Sequence, residues 1–90
     1  MQHKDKKTIL LAETIGKIIK GLRQEKEYSI NKLANEYSLD IGNTSRIEKG
    51  SIDVKVVTLW KLSEALAIKP SQIIKMVEDE LGEKFLFMEE

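Results

Sequence analysis

Two short amphipathic segments with almost no chain between them occupy residues 29–50, and no other feature constrains the fold as strongly. Ser29 and Asp40 begin the two segments, and each side chain is suited to accept a hydrogen bond from an unpaired amide in the turn that follows. Residues that suit a buried stripe then recur at helical spacing. They are Leu33, Ala34 and Tyr37 in the first segment, and Thr44 and Ile47 in the second. The pattern predicts two short helices.

The connection between these helices leaves room only for a sharp turn. Ser38 and Leu39 separate the segments, which we expect to be helical at about residues 30–37 and 40–48. Gly50 suits the end of the second helix, because glycine readily adopts the left-handed conformation found there. Two helices joined by a turn of about three to four residues form the helix-turn-helix motif.

The order of residues within the motif resembles one particular family. Residues 29–50 read Ser-x-x-x-Leu-Ala, five residues, Asp, four residues, Ser-x-Ile-Glu-Lys-Gly, which is similar to the Cro/repressor-type (XRE-like) family of phage and bacterial regulators. The resemblance spans about residues 15–77, and it includes Ile19-x-x-Leu22-Arg23 and Thr58-Leu59-x-x-Leu62-x-x-Ala65-Leu66. It implies an all-α, five-helix, lambda-repressor-like DNA-binding domain. It also implies that Arg23, at the end of the first helix, pairs with Glu48 of the second motif helix.

The chain departs from the family pattern at several positions. Glu27 and Ser38 stand where the family commonly has glycine, and Val54 stands where it usually has proline. At Ser38 the departure predicts either backbone strain or a different turn. Ile41 and Gly42 occupy the positions where the family's strongest base-reading side chains lie, and Ile30 replaces a common glutamine. These substitutions favour shape readout or a narrow base readout.

Apolar periodicity predicts the remaining helices and the limits of the domain. We expect a flexible tail over residues 1–7, a domain over 8–82 and an apolar tail over 83–90. The first helix is predicted at about Thr8 to Lys26, with Ile15, Ile18, Ile19 and Leu22 on one face. The fourth is predicted at about 56–67, with Val56, Leu59, Leu62 and Leu66 toward the core and Trp60 off that stripe. The fifth begins at Pro70, carries Ile73, Ile74, Val77 and Leu81, and ends near Gly82.

Two apolar stretches have no assigned partner in this scheme. Phe85 to Met88 are four consecutive apolar residues, and burying side chains of this size stabilises by about 1.5–3 kcal/mol each. They are expected to fold back on the domain or to pack against a second subunit. Ile9, Leu10 and Leu11 either complete the first helix's stripe or pack on the acidic C-terminal part or a second subunit.

The charge of the chain is neutral overall but unevenly distributed. The 90 residues hold 15 Lys and Arg against 15 Asp and Glu. Residues 1–61 carry 12 against 8, a balance of +4, and residues 62–90 carry 3 against 7, a balance of −4. The motif lies in the basic part, which favours a positive binding face there. Zero net charge predicts weak non-specific DNA affinity for a monomer.

Several function classes receive no support from the residues. With no cysteine, disulfides and cysteine-ligated metals are excluded, which suits a cytoplasmic protein. The only histidine is His3 and no phosphate-binding glycine loop is present, so we expect no enzyme, no metal and no cofactor. No apolar run approaches about 18 residues, so neither a membrane span nor a membrane partner is expected. No second domain is evident to hold a small-molecule effector.

The exposed face of the second motif helix is the predicted DNA-reading surface. Arg46 is suited to bidentate pairing with guanine, Asn43 to adenine, and Ile41 to contact with a thymine methyl group. Gly42 allows the backbone to approach the DNA closely. The alternative is that Arg46 is an ordinary solvated side chain. Further candidates for contacts with bases or phosphates are Ser45, Lys49, Ser51, Lys32, Ser29 and Lys55.

The sequence therefore predicts a DNA-binding transcriptional regulator. A single domain of this size covers one half-site, so double-stranded DNA and a second copy of the chain are the expected partners. The fifth helix, the apolar tail and Trp60 are the candidate dimer surface. The alternative is an antitoxin-like or anti-repressor module that binds protein and reads DNA weakly or not at all.

Overall fold

Five helices connected by short turns make up the computed structural model, which describes residues 5–88. They are α1 (Lys6–Glu25), α2 (Ile30–Glu36), α3 (Ile41–Glu48), α4 (Val56–Ala65) and α5 (Pro70–Leu81), and no strand occurs within 5–88. The predicted all-α, five-helix architecture is confirmed. Within that same range, no helix has the length and apolar character needed to cross a membrane.

The first helix begins two residues earlier than the sequence pattern predicted. Asp5 is the N-cap of α1, and its side chain accepts a hydrogen bond of 2.7 Å from the Thr8 amide. That bond lowers the pKa of Asp5, because it stabilises the ionised carboxylate. Lys6 and Lys7, assigned by sequence to the flexible tail, are therefore helical. Residues 1–4 of that predicted tail lie outside the described residues.

The core is built where the five helices meet. Its buried members come from every helix, and they are Ile19, Leu33, Ile47, Leu59, Leu62, Ala65, Leu66 and Ile73. The predicted stripe of α4 holds at Leu59, Leu62 and Leu66, but the assignment of Val56 to the core is wrong, because its side chain is 68% exposed. Val57 is also exposed, so the first turn of α4 projects beyond the core. Ile74 of α5 likewise lies mostly outside it, whereas Ile73 and Val77 are buried.

A close approach between α1 and the C-terminal end of α3 fixes the position of the motif. A Cβ atom on Gly16 of α1 would lie 2.2 Å from the carbonyl oxygen of Ile47 and 2.7 Å from that of Glu48. Gly50, just after α3, has a φ of +73°, and a Cβ there would lie 2.6 Å from the Cα of Glu13. Only glycine fits at these two positions, so α1 and the end of α3 are in direct backbone contact.

Within residues 5–88, three residues other than glycine adopt the left-handed backbone conformation. They are Glu27 after α1, Ser38 between α2 and α3, and Ala67 after α4, with φ of 57°, 55° and 57°. Each costs about 1–2 kcal/mol relative to glycine in the same conformation. At Ser38 the turn thus keeps its left-handed geometry at an energetic cost, which is the first of the two alternatives that the sequence left open.

The C-terminal tail folds back toward α1 but leaves much apolar surface exposed. The Lys7 ammonium group donates to the carbonyl oxygen of Leu86. Phe85 is half-buried and packs edge-to-face on Phe87, with ring centroids 5.3 Å apart. Leu86, Phe87 and Met88 remain exposed, as do Ile9 and Leu10 on α1. The tail therefore returns to the domain while leaving the side chains of Leu86, Phe87 and Met88 exposed.

Candidate nucleic-acid interface

The two motif helices begin at side-chain caps and are locked together by a single short turn. Ser29 Oγ accepts from the Lys32 amide at 3.0 Å, and Asp40 Oδ1 accepts from the Asn43 amide at 2.8 Å. The Leu39 amide donates to the Ala34 carbonyl oxygen at 2.9 Å, which closes the turn. The capping roles of Ser29 and Asp40 are confirmed.

The orientation of α3 follows from its buried side chains. Thr44 and Ile47 are buried, and the Thr44 hydroxyl also donates to the Asp40 carbonyl oxygen at 2.9 Å. The six residues of this helix and its C-terminal end that were predicted to contact DNA face outward to different extents. Ile41, Asn43, Arg46 and Lys49 are exposed, and Gly42 and Ser45 are half-buried.

A buried ion pair holds the C-terminal end of α3 against α1. Arg23 Nε lies 2.7 Å from Glu48 Oε2, and Arg23 Nη2 lies 2.9 Å from Glu48 Oε1. The Arg23 side chain is only 12% exposed and that of Glu48 only 4%. Hydrogen bonding to Glu48 raises the pKa of Arg23 above its usual value, against the opposing effect of burial. The pair implied by the family resemblance is present.

Each of the three side-chain nitrogens of Arg23 donates a hydrogen bond within the protein. Its third nitrogen, Nη1, donates to the carbonyl oxygen of Tyr28 at 2.7 Å, in the connection to α2. One guanidinium thus joins α1, the α1–α2 connection and α3. Its role in this structure is to fix the helices of the motif relative to one another.

Arg46 and Asn43 form a hydrogen-bonded pair on the outer face of α3. Arg46 Nη2 donates to Asn43 Oδ1 at 2.6 Å. A Cβ atom on Gly42 would lie 3.4 Å from both Nη1 and Nη2 of Arg46, so the guanidinium lies directly over this glycine. Sequence reasoning singled out the three residues separately and missed the pairing, although their spacing of three places two of them one helical turn apart.

The candidate phosphate contacts differ in how many of their polar groups remain available. The Ser51 hydroxyl donates to the Arg46 carbonyl oxygen at 3.1 Å, and the Ser51 amide donates to the same atom. Since a hydroxyl has a single proton to donate, Ser51 has none to offer a phosphate in this conformation. Ser29 uses only its acceptor capacity for capping, so its hydroxyl proton remains available.

The lysines around α3 are exposed but differ in their neighbours. The Nζ atom of Lys32 lies 3.9 Å from Oε1 of Glu36 and 5.1 Å from the centre of the Tyr28 ring. These two neighbours restrain the ammonium group on α2. Lys49 caps the end of α3 and Lys55 precedes α4, and both are exposed. Within residues 5–88, no cluster of acidic or histidine side chains could hold a metal ion.

The geometry defines a helix-turn-helix domain, with a short second helix that presents a polar, partly cationic face to solvent. Over 57 residues the chain is 39% identical to the HTH-type transcriptional repressor RghR of Bacillus subtilis, a match that covers 62% of this chain and 42% of that protein. The chain thus spans less than half the length of this curated relative. No family model matches the chain.

Solved structures place the domain more narrowly. The restriction-modification controller protein C.AhdI from Aeromonas hydrophila is 31% identical, with a TM-score of 0.66 over 69% of this chain and 94% of that one. The clp gene regulator ClgR from Corynebacterium glutamicum shares the fold, with a TM-score of 0.73 over 79% of this chain and 76% of its own at 21% identity. The chain belongs to the Cro/repressor-type (XRE-like) helix-turn-helix family.

Proposed function

We propose that this chain binds duplex DNA through α3 and regulates transcription. The observation that carries the proposal is the outer face of α3, where Arg46, Asn43 and Lys49 are exposed beside the turn of the motif. In helix-turn-helix proteins this second helix enters the major groove. The names of the similar proteins, a transcriptional repressor and two regulators or controllers, support a role in transcription.

The chemistry of this face suits a groove of DNA. In this proposal Arg46 and Asn43 face the base edges, while Ile41 at the start of α3 suits a thymine methyl group. Ser29 and the lysines at 32, 49 and 55 lie on the elements that flank α3, where phosphates border the groove. The proposal includes a cytoplasmic location, where bacterial DNA is accessible. It also includes no catalytic step.

The proposal includes assembly of two copies on a two-fold symmetric site. Such dimers space their two reading helices about 34–36 Å apart on one face of the DNA. The proposed interface contains exposed apolar side chains that one copy alone leaves in water. They belong to α4, α5 and the tail, and are Trp60, Ile74, Met76, Leu86, Phe87 and Met88.

Deleting residues 83–90 is expected to convert the dimer to a monomer, because the deletion removes the largest exposed apolar stretch. Sedimentation equilibrium measures the change in mass. A variant with Leu86→Ser and Phe87→Ser keeps the chain length and is expected to give the same result. If both variants keep the wild-type mass and unfold at the wild-type temperature, the proposed interface is wrong.

Binding of a mixed-sequence duplex is expected to weaken steeply with salt. Lysines 32, 49 and 55 of two copies would contact about six phosphates. The logarithm of the association constant should then fall with the logarithm of the salt concentration with a slope of about −5. Lys49→Ala and Lys55→Ala should each reduce the slope by about 2 per dimer, since each removes one contact per copy. Lys20→Ala, on the exposed face of α1, is the control of equal charge and should leave the slope unchanged. Binding that is undetectable at low salt would contradict a DNA-binding function.

One observation favours a second candidate, a protein-binding module of the antitoxin or anti-repressor kind. Ile41 is exposed at the start of α3, and Val56 and Val57 are exposed in the first turn of α4. Exposed apolar side chains are a common feature of protein-binding surfaces. This candidate predicts a duplex affinity that is weak at low salt and insensitive to Arg46→Ala.

A further inference from the structure

The pairing of Arg46 with Asn43 has consequences for which base each side chain is able to read. A guanidinium group carries only donors, so the atom of Asn43 that faces it must be the carbonyl oxygen Oδ1. The distance of 2.6 Å is that of a short, charge-assisted hydrogen bond. The amide nitrogen Nδ2 of Asn43 is then the polar atom left for a ligand.

An asparagine that reads adenine needs both ends of its amide. Its oxygen accepts from adenine N6 and its nitrogen donates to adenine N7. In this structure Arg46 already takes one of the two lone pairs of that oxygen. An adenine amino group that used the other lone pair would lie beside a cationic group that carries only donors. The adenine contact predicted for Asn43 from the sequence is therefore disfavoured by its neighbour.

Gly42 allows Arg46 to take this position. The guanidinium lies over the glycine, with both terminal nitrogens 3.4 Å from where a Cβ would be. A Cβ would also lie 3.2 Å from Oδ1 of Asp40, which would have to shift slightly, and a longer side chain would occupy the place of the guanidinium. Because Asn43 takes only one of the five N–H groups of Arg46, the remaining donors are available to a base.

We infer that Arg46 and Asn43 act as a single unit in which the donors of Arg46 read guanine, with Asn43 and Gly42 as positioning residues for Arg46. This inference rests on the proposed function. Guanine presents two neighbouring acceptors, O6 and N7, in the major groove, whereas adenine and cytosine present amino donors and thymine a single carbonyl acceptor. The guanidinium of Arg46, which carries only donors, therefore matches guanine and is mismatched to the amino groups of adenine and cytosine.

The test is selection from a pool of duplexes with a randomised central segment, using wild type and matched variants. Arg46→Ala should abolish a guanine preference of about 5–150-fold at one position of each half-site, the range for a bidentate contact. Asn43→Ala should reduce the preference at that same position, and should remove no adenine preference elsewhere. The double variant should be no worse than Arg46→Ala alone, because Asn43 acts through Arg46.

Two further variants separate positioning from folding. Gly42→Leu should weaken the same guanine preference while the thermal unfolding midpoint stays close to that of wild type, since residue 42 lies outside the core. Asn35→Ala, an exposed asparagine of α2, should leave every base preference unchanged. If the slope of the logarithm of affinity against that of salt is the same in Asn43→Ala as in wild type, the variant protein keeps the phosphate contacts made by its other residues.

Different outcomes distinguish the inference from the function on which it rests. If wild type enriches a sequence but Asn43→Ala removes an adenine preference at a position that Arg46→Ala leaves unchanged, the two side chains read bases independently. The inference is then wrong and the proposed function stands. If wild type enriches nothing and shows no salt-dependent binding, both fail together.

Discussion

Replacing Gly16 with alanine is expected to destabilise the domain by about 3 kcal/mol or more, the upper range for overpacking in a well-packed interior. The added Cβ would lie 2.2 Å and 2.7 Å from two backbone carbonyl oxygens of α3, and backbone atoms cannot rotate away as a side chain does. Proteins of this size unfold at a cost of about 5–13 kcal/mol in total, so the loss would be a large fraction of the stability.

Gly21 in the same helix provides the matched control. A Cβ added there meets no atom within 4 Å, so Gly21→Ala should stabilise the protein by about 1 kcal/mol through helix propensity alone. Urea unfolding followed by circular dichroism measures both effects. Equal changes in the two variants would mean that α1 and α3 do not meet at Gly16 as described.

Replacing Glu48 with alanine is expected to cost about 3 kcal/mol, because it leaves the largely buried Arg23 guanidinium without its counter-charge. The hydrogen bond from Arg23 to the Tyr28 carbonyl oxygen would remain, which limits the loss. Glu48→Gln keeps the shape and one acceptor, so its cost should be smaller. Chemical denaturation of the three proteins gives the order of stability.

A double variant separates the cost of an unpaired charge from the value of the pair itself. Arg23→Met combined with Glu48→Met removes both charges and should recover much of the stability lost in Glu48→Ala. The double variant should still bind DNA more weakly than wild type if the pair also fixes the angle of α3. A double variant less stable than Glu48→Ala would contradict the account of an uncompensated charge.

The helices of the motif were predictable because local signals fix them. Ser29 and Asp40 cap α2 and α3, Gly50 follows α3, and Pro70 begins α5, as their residue types indicate. The buried stripe of each motif helix also follows from spacing alone. The separation of 25 residues between Arg23 and Glu48 gives no sign that they pair. That pair was expected only because of the family resemblance.

Other features depend on how helices cross, and spacing in the sequence does not contain that information. The backbone contact at Gly16 requires the crossing of α1 and α3, and the exposure of Val56 requires the position of α4 relative to the core. The cap at Asp5 was a local signal that we missed, because apolar residues begin only after Thr8. The Arg46–Asn43 pair needed the side-chain directions on α3.

Selection of bound fragments from sheared genomic DNA at moderate salt, with wild type beside Arg46→Ala, shows whether α3 reads a DNA sequence. We expect wild type to enrich a palindromic sequence whose half-sites are centred about 10–10.5 base pairs, or a multiple of that distance, apart. Arg46→Ala should enrich this palindrome only weakly, or should lose the guanine preference at one position of each half-site. If wild type enriches no sequence, α3 does not read DNA and a protein partner becomes the better explanation of its exposed face.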